Sequence, residues 1–150
     1  MREAELKHSR LAMLAVVGWP LAELWDRKLA AFFGIEDSLT KNGSSPSVLN
    51  GGLDKIEPEY WFLVLAIAAY FEYESRAAQE EKGKNYIPGD CNFDPFNLMP
   101  SGDAEKISMQ TKEIKHGRLA MMAILGFVVQ ESFYYKPVVA ETPFFFQPLF

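Results

Sequence analysis

A duplicated fifteen-residue segment limits most strongly what this chain can fold into. Residues 5–19 read ELKHSRLAMLAVVGW, residues 113–127 read EIKHGRLAMMAILGF, and nine of the fifteen positions are identical. Internal repetition of this kind indicates structural units with equivalent roles. We therefore expect two copies of one functional helix.

Helix-forming residues dominate both copies, because Leu, Ala, Met, Glu and Lys have high helix propensity. The pattern predicts long helices over about residues 2–30 and 103–133 and a shorter one over about 58–80, which begins at Pro58. Glycines and prolines between these segments are typical of loops. Pro20 should kink or end the first helix near Trp19. The expected fold is all-α, with one domain over residues 1–150.

Composition excludes some classes of protein. The net charge of -5 and the scattered Lys and Arg residues make nucleic-acid binding a poor hypothesis. The single cysteine, Cys91, cannot form an intrachain disulfide, and we expect it to be structural. Hydropathy alone predicts no ordinary transmembrane helix, although about 30 helical residues would reach about 45 Å, enough to cross a bilayer. No leader pattern precedes the first helix, so we expect that such a segment was removed or lies outside these residues.

The charged residues of the repeat suggest a pairing between its two copies. Glu5 and His8 lie about 60° apart around a helix, whereas Arg10 lies about 140° from Glu5. Glu5 is thus badly placed to neutralise the arginine of its own copy. Ionisable groups inside a bilayer need partners. Two helices that cross about a pseudo-twofold axis would pair Glu5 with Arg118 and Glu113 with Arg10.

Small residues at every third position would let these two helices approach closely in lipid. A run of ordinary helix formers explains the alanines equally well, but it explains the glycines less well. The small residues are Ser9, Ala12, Ala15 and Gly18 in the first copy and Gly117, Ala120, Ala123 and Gly126 in the second.

The repeat also supplies groups that can bind a metal. A carboxylate balanced by arginine keeps lone pairs, and a neutral imidazole keeps one free nitrogen. Either could be the single axial ligand of a magnesium ion already held by a macrocycle. Gln130 would lie within about 40° of the His116 direction and about 21 Å further along the helix, where a second layer of such groups fits. The candidates are Glu5, His8, Glu113, His116 and Gln130.

The doubled motif resembles that of the light-harvesting chlorophyll-binding proteins, whose first and third helices carry E-x-x-H/N-x-R followed by L-A-M. The segment CNFDPFNL, residues 91–98, is similar to the family's F-D-P-x-x-L loop, which is associated with carotenoid head groups. The resemblance implies three transmembrane helices, of which the first and third are long and crossed and the middle one is shorter. It also implies that the candidate ligands hold chlorophyll magnesium, Gln130 matching the family's third-helix glutamine. The carotenoid loop would contain Phe93, Asp94, Pro95 and Leu98.

The middle helix departs from the family pattern, which places a ligand glutamate three residues before an arginine. Here Glu72 stands four residues before Arg76 and Glu74 stands two before it. We favour Glu72 as the ligand. The usual terminal helix with a histidine ligand is not visible, because no histidine follows His116.

The resemblance implies a photosynthetic antenna rather than an enzyme. Its red-lineage members suggest that chlorophyll a is bound together with chlorophyll c. The alternatives to chlorophyll c are chlorophyll b or no second chlorophyll. The expected carotenoids are of the fucoxanthin or diadinoxanthin type. The implied location is the plastid thylakoid membrane, which the chain would cross several times among thylakoid lipids. The implied partners are other antenna subunits and a photosystem core, photosystem I being favoured over II.

Three other functions remain open from the sequence. A photoprotective quencher would share the fold. A di-iron carboxylate protein also uses two Glu-x-x-His motifs, but it needs four helices, and Arg10 and Arg118 would repel its cations. Haem binding by His8 and His116 is hard to arrange, because antiparallel crossing would put the two histidines at opposite membrane sides.

Overall fold

The computed structural model describes residues 1–34, 36, 38–91 and 93–142. These residues form helices and loops and contain no strand, which confirms the predicted all-α class. The helices are α1 (Arg2–Phe33), α2 (Pro58–Lys82), α3 (Asp103–Tyr134) and the short α4 (Val138–Glu141), with 3-10 turns at Gly52–Lys55 and Gly83–Asn85.

Helix α1 continues through Pro20 to Phe33, so of the two expected effects of this proline, a kink or an end near Trp19, the structure excludes the end. A proline inside a helix removes one backbone hydrogen bond and crowds the preceding turn. Pro20 is buried. Because helix stability in proteins comes mostly from packing, burial of this side chain can offset the lost bond.

The described residues cluster into two compact units, and α1 and α3 each contribute to both. The first unit contains residues 1–11 and 58–119, and its buried side chains include Leu6, Ser9 and Ala78. The second contains residues 12–57 and the described residues from 120 onward. Its buried side chains include Leu39 and Val138.

Large apolar side chains on all three long helices are exposed. Leu14 on α1, Phe62 on α2 and Met122 on α3 each expose at least 70% of their surface. Contiguous exposed apolar surface usually marks contact with a membrane, a ligand or a partner. By hydropathy and length, none of the described helices could span a membrane.

Candidate functional site

Two ion pairs join α1 to α3 within the first unit. The Nε atom of Arg118 donates to Oε1 of Glu5 at 2.6 Å. The Nε atom of Arg10 donates to Oε1 of Glu113 at 2.7 Å. The glutamate of each copy is therefore paired with the arginine of the other copy, in the combination that the helical angles predict. We call this arrangement the exchange of arginines.

The helices come closest where the repeat positions of Ser9 and Gly117 meet. A Cβ built on Gly117 would lie 2.1 Å from Cβ of Ser9, and both residues are buried. In the second unit, the equivalent positions Trp19 and Phe127 make an edge-to-face ring contact at 6.3 Å. The close approach does not include every small residue, because a Cβ on Gly18 or Gly126 would meet none of the described residues within 4 Å.

Each paired glutamate keeps one carboxylate oxygen available. Arg118 contacts only Oε1 of Glu5, and Arg10 contacts only Oε1 of Glu113. Among the described residues, Oε2 of neither glutamate accepts a hydrogen bond. Both side chains are about one-third exposed. Each carboxylate is thus neutralised by an arginine and still has lone pairs that could bind a metal ion.

Nδ1 of both repeat histidines lies next to a backbone carbonyl oxygen one turn earlier in the same helix. Nδ1 of His8 lies 2.7 Å from the Ala4 carbonyl oxygen, and Nδ1 of His116 lies 2.8 Å from that of Lys112. Because a carbonyl oxygen can only accept, Nδ1 must carry the hydrogen in each bond. In a neutral imidazole the Nε2 lone pair is then free, and both rings are exposed. A backbone bond of this type is the usual support of a metal-binding histidine.

The two remaining candidate ligands differ in their surroundings. Gln130 is half-buried on α3, and no described residue hydrogen-bonds to its side chain. Glu72 on α2 has both oxygens engaged, since Oε2 accepts from Nζ of Lys7 at 2.8 Å and Oε1 lies 3.6 Å from Nε of Arg76. Glu72 would therefore have to share its carboxylate with these cations.

The sequence does not predict the partly buried hydrogen-bond network around Glu3. The Glu3 carboxylate accepts from the Tyr86 hydroxyl at 3.0 and 2.9 Å, from the Ser75 hydroxyl at 3.1 Å and from the Gly89 amide at 3.1 Å. Burial raises the pKa of Tyr86, and the neighbouring carboxylate raises it further. The sequence gives no local signal for this network, because its members come from three separated segments.

A second unpredicted carboxylate lies in the second unit. Glu131 is 3% exposed and accepts from Nδ2 of Asn50 at 2.8 Å and from the Ser47 hydroxyl at 3.4 Å. Glu131 directly follows Gln130, but its burial shows that it holds the loop after α1 rather than facing outward. Only the three-dimensional structure distinguishes these two neighbours.

The loop predicted to contact carotenoid forms a turn around Asp94. Its carboxylate accepts from the backbone amides of Leu98 and Met99, both at 2.9 Å, and these bonds lower the Asp94 pKa. The Phe93 ring contacts the Phe71 ring of α2 at 5.4 Å. Phe93, Pro95 and Leu98 are exposed, so the turn presents apolar surface.

No group of three or more His, Cys, Asp or Glu side chains in the described part of the chain is placed to hold a bare metal ion. Cys91 is a half-buried free thiol. The four candidate ligands of the repeat, two carboxylates and two imidazoles, form no such group, which suits a metal that needs only one protein atom.

Comparison with known proteins gives a family match and several relatives. A family model described as "Chlorophyll A-B binding protein" matches residues 1–132. The chain is 37% identical over 140 residues to "Light-harvesting complex stress-related protein 1, chloroplastic" of Chlamydomonas reinhardtii, covering 87% of this chain and 52% of that protein.

Two further relatives extend the comparison. The chain is 35% identical over 136 residues to "Fucoxanthin-chlorophyll a-c binding protein, chloroplastic" of Isochrysis galbana, covering 88% of this chain and 63% of that protein. It is 35% identical over 149 residues to "Chlorophyll a-b binding protein 6, chloroplastic" of Arabidopsis thaliana, covering 89% and 54%. The chain thus spans roughly half to two-thirds of the length of these relatives. Together with the match over residues 1–132, these similarities establish that the chain belongs to the chlorophyll a-b binding protein family.

Proposed function

We propose that this chain is a photosynthetic light-harvesting antenna subunit, which holds chlorophylls and carotenoids and passes excitation energy to a photosystem. The observation that carries the proposal is the exchange of arginines between Glu5 and Glu113. It neutralises both carboxylates and leaves one oxygen of each free. An isolated carboxylate in apolar surroundings would be costly, whereas a paired one can remain ionised there.

The site fits chlorophyll because Glu5, Glu113 and the two repeat histidines could each hold one chlorophyll through a single protein atom. Oε2 of Glu5 and Glu113 and Nε2 of His8 and His116 supply that kind of atom. Bound chlorophyll supplies light absorption and excitation transfer, while the protein sets position, orientation and environment. Gln130 and Glu72 would add further ligands, Glu72 by sharing its carboxylate with Lys7.

The proposal includes insertion of α1, α2 and α3 into the plastid thylakoid membrane. Helices α1 and α3 have 32 residues each, which corresponds to about 48 Å of helix. Their exposed apolar side chains could face lipid or pigment. The ion pairs would remove the charge penalty that hydropathy assigns to these segments.

The pigment complement we propose is chlorophyll a with chlorophyll c and a carotenoid of the fucoxanthin or diadinoxanthin type. The similarity to the Isochrysis galbana fucoxanthin-chlorophyll a-c binding protein supports it. The exposed turn at Phe93, Pro95 and Leu98 would contact a carotenoid end group. Other antenna subunits, thylakoid lipids and a photosystem core, photosystem I in preference to II, are the proposed partners.

Pigment chromatography of the purified native complex tests this function. We expect chlorophyll a, chlorophyll c and a fucoxanthin-type carotenoid in fixed ratio to protein. Chlorophyll b in place of chlorophyll c would retain the antenna function and change the pigment assignment. A colourless protein without magnesium tetrapyrrole would contradict the proposal, and bound iron in such a sample would favour the di-iron alternative.

A photoprotective quencher is the second candidate, favoured by the 37% identity to a light-harvesting complex stress-related protein. The same pigment-binding site serves both roles. The fluorescence lifetime of the isolated complex separates them. A long lifetime at neutral and acidic pH supports energy collection, whereas a lifetime that shortens on acidification supports quenching.

A further inference from the structure

The two ion pairs of the repeat are equivalent in sequence but differ in their support. Arg10 donates through Nε to Glu113 and through Nη1 to the Gly89 carbonyl oxygen at 2.7 Å. Arg118 donates to Glu5 alone among the described residues. The Arg10 side chain is 37% exposed and that of Arg118 is 64% exposed. One guanidinium is therefore fixed at two points and the other at one.

The carbonyl group that fixes Arg10 is itself held in place. The Gly89 amide donates to Oε2 of Glu3 at 3.1 Å. Gly89 has a φ of 84°, a backbone conformation that favours glycine. A Cβ at this position would lie 2.7 Å from Cδ1 of Leu6 and 3.2 Å from Nη2 of Arg10. The loop thus lies directly against α1 at the turn that carries Arg10.

Glu3 is in turn oriented by Tyr86, whose hydroxyl lies within 3.0 Å of both carboxylate oxygens. The Ser75 hydroxyl donates to Oε1 at 3.1 Å, and Nζ of Lys7 lies 3.7 Å from the same atom. A continuous series of hydrogen bonds therefore runs from Tyr86 through Glu3, Gly89 and Arg10 to Glu113.

The second copy of the repeat lacks the residue that begins this series. Thr111 occupies the position equivalent to Glu3, two residues before the repeat glutamate. Its hydroxyl donates to the Ile107 carbonyl of its own helix at 2.7 Å. Threonine has no second oxygen to hold a loop amide, so the difference between the two sites is encoded in the sequence.

Arginine side chains often bind a carboxylate through both of its oxygens. Arg10 instead donates to Glu113 through Nε alone, while its Nη1 donates to the Gly89 carbonyl oxygen, which fixes the guanidinium in this arrangement. We infer that Glu3 and Tyr86 are positioning residues that hold Arg10 so that Oε2 of Glu113 stays open to a chlorophyll magnesium, a support that the Glu5 site lacks. This inference rests on the proposed function.

The test follows two chlorophyll absorption bands in the complete, pigment-loaded chain. Two double variants, each of which removes one ion pair without a change in net charge, identify the band of each site. The band that disappears in Arg10→Leu with Glu113→Leu belongs to the Glu113 site. The band that disappears in Glu5→Leu with Arg118→Leu belongs to the Glu5 site. Glu3→Ala is the test variant, Glu3→Gln is its conservative counterpart, and Thr111→Val is the matched control in the other copy. Each band's rate of loss on warming is measured, together with hydrogen exchange of the segment 86–91.

Removing outer-shell partners of a metal ligand typically weakens binding by about 10- to 100-fold. We expect Glu3→Ala to speed loss of the Glu113-site chlorophyll about tenfold, with less than about a twofold effect at the Glu5 site. Exchange of the 86–91 segment should also become faster. Glu3→Gln should restore most of the difference, since its amide oxygen can accept from Gly89, and Thr111→Val should change neither band.

Equal acceleration at both sites, or at neither, would overturn the inference and leave the proposed function intact. If the Arg10→Leu with Glu113→Leu variant keeps all its chlorophyll, the ligand assignment itself fails, and the inference fails with it. Should Glu3→Ala not assemble, Tyr86→Phe removes a single hydroxyl and must give the same site-selective effect.

Discussion

Ser9 of α1 and Gly117 of α3 occupy equivalent positions of the repeat and touch each other directly. Contact between equivalent positions is what a local twofold relation between the two copies produces. The neighbouring residues Arg10 and Arg118 then reach across to the glutamate of the opposite copy. The close contact and the exchange of arginines therefore depend on each other.

Gly117→Ala should destabilise the protein, because the added methyl group would overlap the Ser9 side chain at a buried contact. Overpacking of this kind costs about 1–3 kcal/mol. Gly126→Ala is the matched control on the same helix, since a Cβ there meets nothing within 4 Å and alanine favours the helix. Thermal unfolding followed by circular dichroism should separate the two variants, and equal midpoints would contradict the proposed packing.

His8→Leu should remove about one chlorophyll per chain and leave the fold intact, because only an axial ligand is lost. Arg118→Leu should be more harmful, since it removes the partner of the Glu5 carboxylate in a helix that we propose lies in the membrane. Pigment-to-protein ratio and assembly yield measure both effects. If the two variants assemble equally well with unchanged pigment, the exchange of arginines has no role in pigment binding.

Acidification should loosen the turn around Asp94. Backbone amides of Met99 and Leu98 lower the Asp94 pKa in the folded protein. Because the pKa is lower in the folded protein, the ionised carboxylate stabilises the turn at any pH above the ordinary carboxyl pKa. This stabilisation is lost as the pH falls through the pKa of the folded state. Hydrogen exchange of these two amides should therefore be slow at neutral pH and lose its protection in acid. Asp94→Asn should remove the pH dependence, and an unchanged acid profile in that variant would refute the mechanism.

Asn50→Ala should destabilise the second unit, because it removes the closest hydrogen-bond donor to the buried Glu131 carboxylate. A buried polar group left unsatisfied costs about 1–3 kcal/mol. Asn42→Ala is the control, since Asn42 is exposed and its side chain makes only a long 3.5 Å bond to the Tyr135 carbonyl. A fall in the unfolding midpoint is expected for Asn50→Ala alone, and equal midpoints would show that Glu131 needs no such partner.

The ion pairs could be predicted because helix periodicity fixes the direction of each side chain, and duplication restricts which helix can supply the partner. These two constraints predict the pair of Glu5 with Arg118. The role of Glu3 could not be predicted, because its partners Ser75, Tyr86 and Gly89 are brought to it by long-range folding.

Two other differences between the sequence-based expectations and the structure have similar causes. The expectation that Pro20 could end α1 came from local backbone chemistry, which packing of the buried ring overrides. The spacing to Arg76 favours Glu72 as a ligand, but it gives no indication that Lys7 of α1 approaches the same carboxylate. The local sequence pattern predicts the helices and the faces on which their residues lie. Contacts between segments that are distant in the sequence cannot be predicted from that pattern and are seen only in the structure.

The most direct test of the account is the number of chlorophylls per chain, counted chromatographically, in the original protein and in the variant Arg10→Leu with Glu113→Leu. The double change removes the ligand and its counter-charge together, so no charge is left unpaired. The account predicts a loss of one chlorophyll per chain with the fold retained. An unchanged chlorophyll count in a folded variant would contradict it.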